Sequence, residues 1–289
     1  MNATQDDTER LAMVVQAPEV PTPSLKELAR RTGASSIVSL LGGDNQAFRL
    51  EGVKSRDDAA VFCADEQLDL AFVPAGQHRD RVRLVSIDMD STLIAIECID
   101  EIADLQGLKP QVAAITAAAM RGEIDFAASL VQRVALLAGL DVDVLQRVYD
   151  ERLVLSPGAE RMLAGFCEVG AKTLLVSGGF TFFTDRLKER LGLDCAVSNT
   201  LEIVGGKLTG RIEGTIVDAR VKAEWARRLA AQYTTGDGLT LAIGDGANDL
   251  PVLREADISV AYHAKPIVRA ACTYAIDYCG LDAVLNLFD

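Results

Sequence analysis

The sequence predicts an α/β chain: a parallel sheet that carries a helical insertion, with a small α+β domain in front. Three observations point there. From Leu84 onward, short apolar runs alternate with helical stretches, and each run stops at a knot of polar residues. Between the first such run and the second, roughly residues 98–150 show helical periodicity and no strand candidate. Before Leu84 the elements read in the order βαββαβ.

The front segment begins after a polar stretch, residues 1–9, that reads as disordered. Residues 11–15 read as a strand, which Pro18, Pro21 and Pro23 end, and a short helix starts at Ser24. Residues 36–41 and 46–50 form two strands around a turn at 42–45. A helix over 57–66 and a strand over 68–73 complete a ferredoxin-like order, for which we expect residues 1–76. Residues 77–83 read as a linker.

The second unit, residues 84–289, opens with a buried strand, Leu84-Val85-Ser86-Ile87, that ends at Asp88 and Asp90. The insertion follows; Ala127, Leu130, Val131, Val134 and Leu137 lie on one apolar helical face. Residues 157–169 suit a helix with Pro157 in its first turn. Then come a strand over 172–176 ending in Ser177-Gly178-Gly179, a helix over 182–191 and a short strand over 195–197. Residues 202–209 read as a hairpin on Gly205-Gly206. A helix over 221–233 precedes a strand over 239–243, which ends in Gly244-Asp245-Gly246-Ala247-Asn248-Asp249. A helix from Pro251 and a strand over 258–261 close the expected sheet.

Composition excludes several classes of function. With 289 residues, 49% of them hydrophobic, the chain can bury a large core. A net charge of −13 argues against nucleic acid or an acidic membrane as partner, because both call for clustered Lys and Arg. No apolar run approaches the roughly 18 residues of a membrane helix, and the acidic N-terminus is unlike a signal peptide. The six cysteines include no C-x-x-C pair, and only His78 and His263 could join them as ligands. Free thiols in the cytoplasm are therefore expected, rather than zinc or disulfides.

Three strand ends carry the chemistry: Asp88 with Asp90, Ser177-Gly178-Gly179, and Asp245 with Asn248 and Asp249. Lys222 lies in the helix before the last set. A parallel sheet brings such ends to one edge. A carboxylate there can attack phosphorus, and a second can hand a proton to the leaving alcohol. Close carboxylates also repel one another, so a divalent cation is the usual way to hold them ionised. A hydroxyl, glycine amides and a lysine can hold phosphate oxygens. Taken singly, each part reads as an ordinary turn, cap or solvated lysine; the order of all of them at strand ends points to phosphoryl chemistry.

These motifs, Asp-x-Asp-x-Thr, a strand-end Ser, a Lys and Gly-Asp-Gly-x-Asn-Asp, resemble those of the haloacid dehalogenase superfamily. Within it the chain is most similar to the phosphoserine phosphatases. Residues 97–103, Met120-Arg121-Gly122-Glu123, Phe126, Ser129-Leu130, Arg133-Val134 and 206–210 carry that closer likeness, which runs from about Leu84 to the C-terminus. The resemblance implies a Rossmann-like core with a helical cap over about 98–155. It implies Asp88 as nucleophile and Asp90 as general acid/base. It implies Mg²⁺ held by Asp88, the Asp90 backbone carbonyl and Asp245, with Asp249 in an outer position. Ser177, Gly178 and Lys222 would hold the phosphate and Asn248 would touch the substrate. The implied substrate is O-phospho-L-serine, in the last step of serine synthesis. Another small phosphomonoester such as phosphohomoserine, or an amino-acid sensor built on this fold, is the alternative.

Glu97 and Arg133 fit that substrate physically. Phosphoserine carries an ammonium and a carboxylate besides its phosphate; a carboxylate suits the first, and a guanidinium binds the second bidentately. Residues 1–76 resemble, by element order alone, the ACT-like domains that pair edge to edge and bind amino acids. A homodimer through this segment with serine as ligand is one outcome, and a simple stabilising appendage is the other.

Overall fold

The computed structural model describes residues 11–40, 43 and 45–289. The expected disorder of residues 1–9 and part of the 42–45 turn lie outside the described residues.

The front segment has β1 (Leu11–Ala17), α1 (Thr22–Thr32), β2 (Ser36–Leu40), β3 (Gln46–Glu51), α2 (Ala59–Asp65) and β4 (Asp69–Pro74). Its antiparallel sheet has the order β2-β3-β1-β4. The helix α1 begins before Pro23 and keeps that proline in its first turn, where a missing N–H costs nothing. Because side chains alternate along a strand, the sheet has two faces to cover. Met13 and Val15 pack with Leu25, Leu28 and Cys63 beneath the two helices. Val14, Ala71 and Val73 face the other way and join the main core of the chain.

The second unit starts at β5 (Val82–Ile87). The insertion is all helical: α3 (Cys98–Leu105), α4 (Lys109–Met120), α5 (Phe126–Ala135) and α6 (Asp143–Glu151). Then follow α7 (Ala159–Glu168), β6 (Lys172–Phe180), α8 (Thr181–Leu191), β7 (Cys195–Val204), β8 (Lys207–Glu213), α9 (Ala219–Tyr233), β9 (Leu239–Gly244), α10 (Leu250–Glu255), β10 (Ile258–Tyr262), α11 (Pro266–Arg269) and β11 (Tyr274–Ile276). The sheet order is β11-β10-β9-β5-β6-β7-β8, parallel except for the β7–β8 hairpin. Leu163, Phe166, Phe183 and Leu187 cover one face of the sheet. Leu229, Ala223, Val252 and Leu253 cover the other.

Four details depart from the sequence reading. Residues 195–204 form a single strand that runs straight into the hairpin, and its turn uses Gly205 and Gly206 at φ 59° and 76°. The strand β6 continues through Ser177-Gly178-Gly179 to Phe180, with a register break after Val176. Pro157 precedes α7, and Gly158, at φ 74°, starts that helix. The sheet does not close at β10, because the three-residue β11 adds one more strand. Three residues show no periodicity, so that strand is set by its neighbours.

Two connections hold the sheet to its surroundings. The hairpin reaches the insertion through Gly139 N–H to Leu208 O at 2.8 Å and Leu208 N–H to Leu140 O at 2.9 Å. The front sheet reaches the C-terminal segment through Asp69, which is 3% exposed. Its carboxylate accepts from Asp277 N–H at 2.7 Å and Cys279 N–H at 2.9 Å, and also from Tyr278 N–H.

Candidate active site

The topology brings the ends of β5, β6 and β9 to one edge, with the helical insertion above them. There, Asp88, Asp90, Glu97, Arg133, Ser177, Gly178, Asp245 and Asn248 line a single cavity of about 290 Å³. Of the residues singled out from sequence, Lys222 is placed differently: it is 1% exposed and lies beneath the carboxylates.

Asp88 follows β5 directly. Its N–H donates to Ile243 O at 3.1 Å, and Leu93 N–H returns to its carbonyl at 3.2 Å. The chain turns between these bonds, with Ser91 at φ 57°. A left-handed conformation is strained for a residue other than glycine, and such strain gathers at functional sites. The turn sends the Ser91 hydroxyl to Glu97 Oε1 at 2.8 Å, and the Asp90 carboxylate accepts from Cys98 N–H at 2.9 Å. Thr92, fully buried, donates from its hydroxyl to Asp245 Oδ1 at 3.0 Å. The first strand end is thereby pinned to the third.

Lys222 sits in the first turn of α9, whose start is set by Asp218 accepting from Val221 N–H at 2.8 Å. Its ammonium donates to Asp88 Oδ1 at 2.7 Å and to Asp249 Oδ1 at 2.8 Å. Asp249 is held in turn by Gly246 N–H at 3.0 Å. Buried this deeply, Lys222 stays charged, since the two carboxylates outweigh the cost of its desolvation. Burial, with Asp249 beside it, pushes the Asp88 carboxyl well above the ordinary carboxylate range. Burial and Asp249 likewise push Asp245 up to about 6.

Carboxylate oxygens of Asp88, Asp245 and Asp249 lie within 4.8 Å of one another. Three crowded carboxylates suit a hard divalent cation with oxygen ligands. Asp249 already bonds Lys222 and Gly246, which fits an outer position.

The second strand end is a shaped loop. Ser177 Oγ accepts from Gly179 N–H at 2.8 Å. A Cβ on Gly178 would stand 2.7 Å from Phe126 Cζ, and one on Gly179 would stand 2.6 Å from Asp90 Oδ2. Any larger residue at either position would have to displace Phe126 or Asp90. Asn199, 1% exposed, donates to Gly178 O at 2.8 Å and Gly179 O at 3.3 Å and accepts from Val217 N–H at 2.8 Å. Sequence reasoning passed over Asn199, which lies just beyond the short strand read over 195–197. It also passed over Asp100, Thr116 and Lys265, all of which line the cavity.

On the insertion side, burial and the Asp90 carboxylate raise Glu97 to about 7, against the pull of the Ser91 hydroxyl. Burial lowers Arg133 from its ordinary value. The Arg133 guanidinium donates from Nε to Ser129 O at 3.4 Å and makes no carboxylate ion pair within 4.0 Å among the described residues. A half-buried guanidinium with no direct ion pair among the described residues, in the same cavity as the Asp88 carboxylate, suits a ligand that carries a carboxylate.

A family model for haloacid dehalogenase-like hydrolases matches residues 85–254. The chain belongs to this family. A phosphoserine phosphatase of Polaromonas sp. is 52% identical over 210 residues, which covers 71% of this chain and 89% of that protein. A probable phosphoserine phosphatase from Vibrio cholerae, crystallised without ligand, superposes with a TM-score of 0.82 at 38% identity. That match covers 96% of this chain and 85% of the other, the front sheet included. A phosphoserine phosphatase solved as a phospho-aspartyl intermediate analogue is similar at a TM-score of 0.66 and 35% identity, covering 72% of this chain and 99% of its own. The fold class expected from sequence, a family core with a helical cap behind a small antiparallel sheet, is the fold observed.

Proposed function

We propose that the chain is a magnesium-dependent phosphatase that hydrolyses O-phospho-L-serine to L-serine and phosphate. The observation that carries this is that Glu97 and Arg133, which makes no direct ion pair among the described residues, line the same cavity as Asp88. The reading is supported by the 52% identical phosphoserine phosphatase relative.

Asp88 is the nucleophile. One carboxylate oxygen attacks phosphorus, the phosphorus–oxygen bond to serine breaks, and an aspartyl-phosphate forms. Asp90 gives its proton to the departing serine oxygen; burial raises its pKa, which keeps that proton available. In the second half Asp90 takes a proton from water, whose oxygen attacks phosphorus and frees Asp88. Ser177 and Gly178 hold phosphate oxygens, and Lys222 fixes the rotamer of Asp88 and balances charge from below. Asn248 touches the substrate. Arg133 receives the substrate carboxylate and Glu97 its ammonium.

Magnesium would be held by Asp88, the Asp90 carbonyl and Asp245, and would supply screening between carboxylates and phosphate. We place the division of the chain at residues 1–76, a linker over 77–83 and a catalytic unit over 84–289. The expected setting is the cytoplasm, at the last step of serine synthesis. Among the described residues no helix is long and apolar enough to cross a membrane.

The test is phosphate release from O-phospho-L-serine with and without magnesium, beside phosphohomoserine and phosphoethanolamine. Arg133→Ala should depress phosphoserine turnover far more than that of phosphoethanolamine, which has no carboxylate. Equal turnover of the three by the native chain, or equal loss on all of them in Arg133→Ala, overturns the substrate assignment.

A further inference from the structure

The cavity has a charge imbalance that the roles above leave open. Its walls carry five carboxylates, from Asp88, Asp90, Glu97, Asp100 and Asp245, but only two cations, Arg133 and Lys265. Arg133 belongs to the insertion and is matched to the substrate carboxylate. Lys222 is buried beneath the floor and already bonded to Asp88 and Asp249. A phosphate dianion approaching from solvent therefore meets mostly acidic side chains, with Lys265 as the exposed cation on the core side.

Hydrogen bonds on both sides hold the backbone of Lys265. It follows β10 in a turn where His263 sits at φ 45°. His263 N–H donates to Ile276 O at 2.7 Å, and its ring Nε2 lies 3.0 Å from Cys279 O. Pro266 comes next and opens α11, where Val268 N–H and Arg269 N–H both donate to Lys265 O, at 2.9 Å and 3.1 Å. Yet the Lys265 ammonium makes no ion pair or hydrogen bond among the described residues. A strained, pinned turn thus holds a lysine with a free ammonium at a cavity rich in carboxylates. A low-dielectric cleft focuses the field of such a charge and raises the local concentration of an anion.

We infer that Lys265 is a substrate-binding residue that receives the phosphate group on arrival and also binds the inorganic phosphate product. This rests on the phosphatase reading above, and only on its phosphate part: any phosphomonoester substrate would be affected alike.

The test compares Lys265→Gln with Lys265→Arg and Lys26→Gln. Lys26 lies on α1, away from the cavity, so Lys26→Gln makes the same change in net charge. Kinetics are run on whichever phosphomonoester the native chain turns over best, at low and high salt. Lys265→Gln should lower kcat/KM by about tenfold at low salt. It should flatten the salt dependence, raise the inhibition constant of inorganic phosphate and leave kcat near native. Lys265→Arg should restore all of these, and Lys26→Gln should match the native chain. Unchanged kcat/KM and phosphate inhibition in Lys265→Gln, or a fall in kcat with the salt dependence intact, would overturn the inference. A native chain that prefers another phosphomonoester would overturn the phosphoserine assignment and leave this comparison standing.

Discussion

The ammonium of Lys222 lies 2.7 Å from Oδ1 of Asp88, and neither side chain is more than 7% exposed. The pair is completed by Asp249 at 2.8 Å. A buried ion pair need not stabilise a protein relative to apolar residues, but removing one partner leaves charge stranded. Lys222→Met should therefore lower unfolding free energy by about 3–5 kcal/mol, measured by urea titration in chelator. It should also abolish phosphate release. Asp88→Asn keeps a hydrogen-bond acceptor for Lys222 and should unfold close to the native midpoint, yet show no turnover. Near-native turnover by Asp88→Asn, once deamidation is excluded, would falsify the covalent mechanism.

Gly179 lies against the Asp90 carboxylate, where a Cβ would stand 2.6 Å from Oδ2. Asp90→Asn should lose ~10²–10⁴-fold in turnover of phosphoserine, but much less with an activated phenyl phosphate whose leaving group needs no proton. Gly179→Ala puts its Cβ 2.6 Å from Asp90 Oδ2 and should show the same dependence on leaving group. Gly178→Ala meets the edge of Phe126 on the insertion, so it should act mainly on KM. Rate profiles that do not distinguish the two glycine variants would remove the Gly179–Asp90 connection.

The raised Glu97 has a pH signature. Its carboxyl is neutral below about 7 and gains charge as pH rises through that value. The charged form attracts a substrate ammonium, so KM for phosphoserine should fall as pH rises through about 7. Phospholactate has the same phosphate and carboxylate but no ammonium, and its KM serves as the reference. The ratio of the two should change across this range in the native chain and stay flat in Glu97→Gln. A flat ratio in the native chain would separate Glu97 from the ammonium.

The front sheet is packed too deeply to be a free appendage. Hydrogen bonds to a charged group contribute about 1.5–3 kcal/mol. Asp69→Ala leaves the N–H groups of Asp277 and the buried Cys279 without their acceptor and should cost at least that much, read as a fall in urea midpoint. Arg49 ties the same sheet to the C-terminus through Phe288 O at 2.8 Å and through the Asp289 carboxylate. Deleting residues 1–76 should therefore destabilise the catalytic unit, because it uncovers Tyr274, Leu281, Val284 and Leu287. The same truncation, followed by mass in solution and by serine inhibition, tests whether this segment pairs two copies or binds serine. If oligomeric state and serine response both survive, it does neither; serine competing at Glu97 and Arg133 must be subtracted first.

Much of this protein could be read along the chain. Asp88, Asp90, Ser177, Gly178, Asp245 and Asn248 were legible because a parallel sheet puts strand ends at one edge, and apolar runs mark where strands stop. The helical insertion was legible from its period, and the βαββαβ order from alternation and turn residues. Those signals are local, and the tertiary structure decided what they could not reach. Lys222 looks like any polar helix residue until α9 packs across the sheet and drives it under two carboxylates from distant segments. Asn199 acquires its role only when β7 lies beside the Ser177 loop, and Lys265 only when the 263–265 turn comes round to the cavity. The strand β11 and the second buried face of the front sheet exist because other parts of the chain complete them. Periodicity reports which face of an element is apolar; what that face, or a single charge, will meet is set by contacts across more than a hundred residues, such as Lys222 with Asp88, which only the folded chain makes.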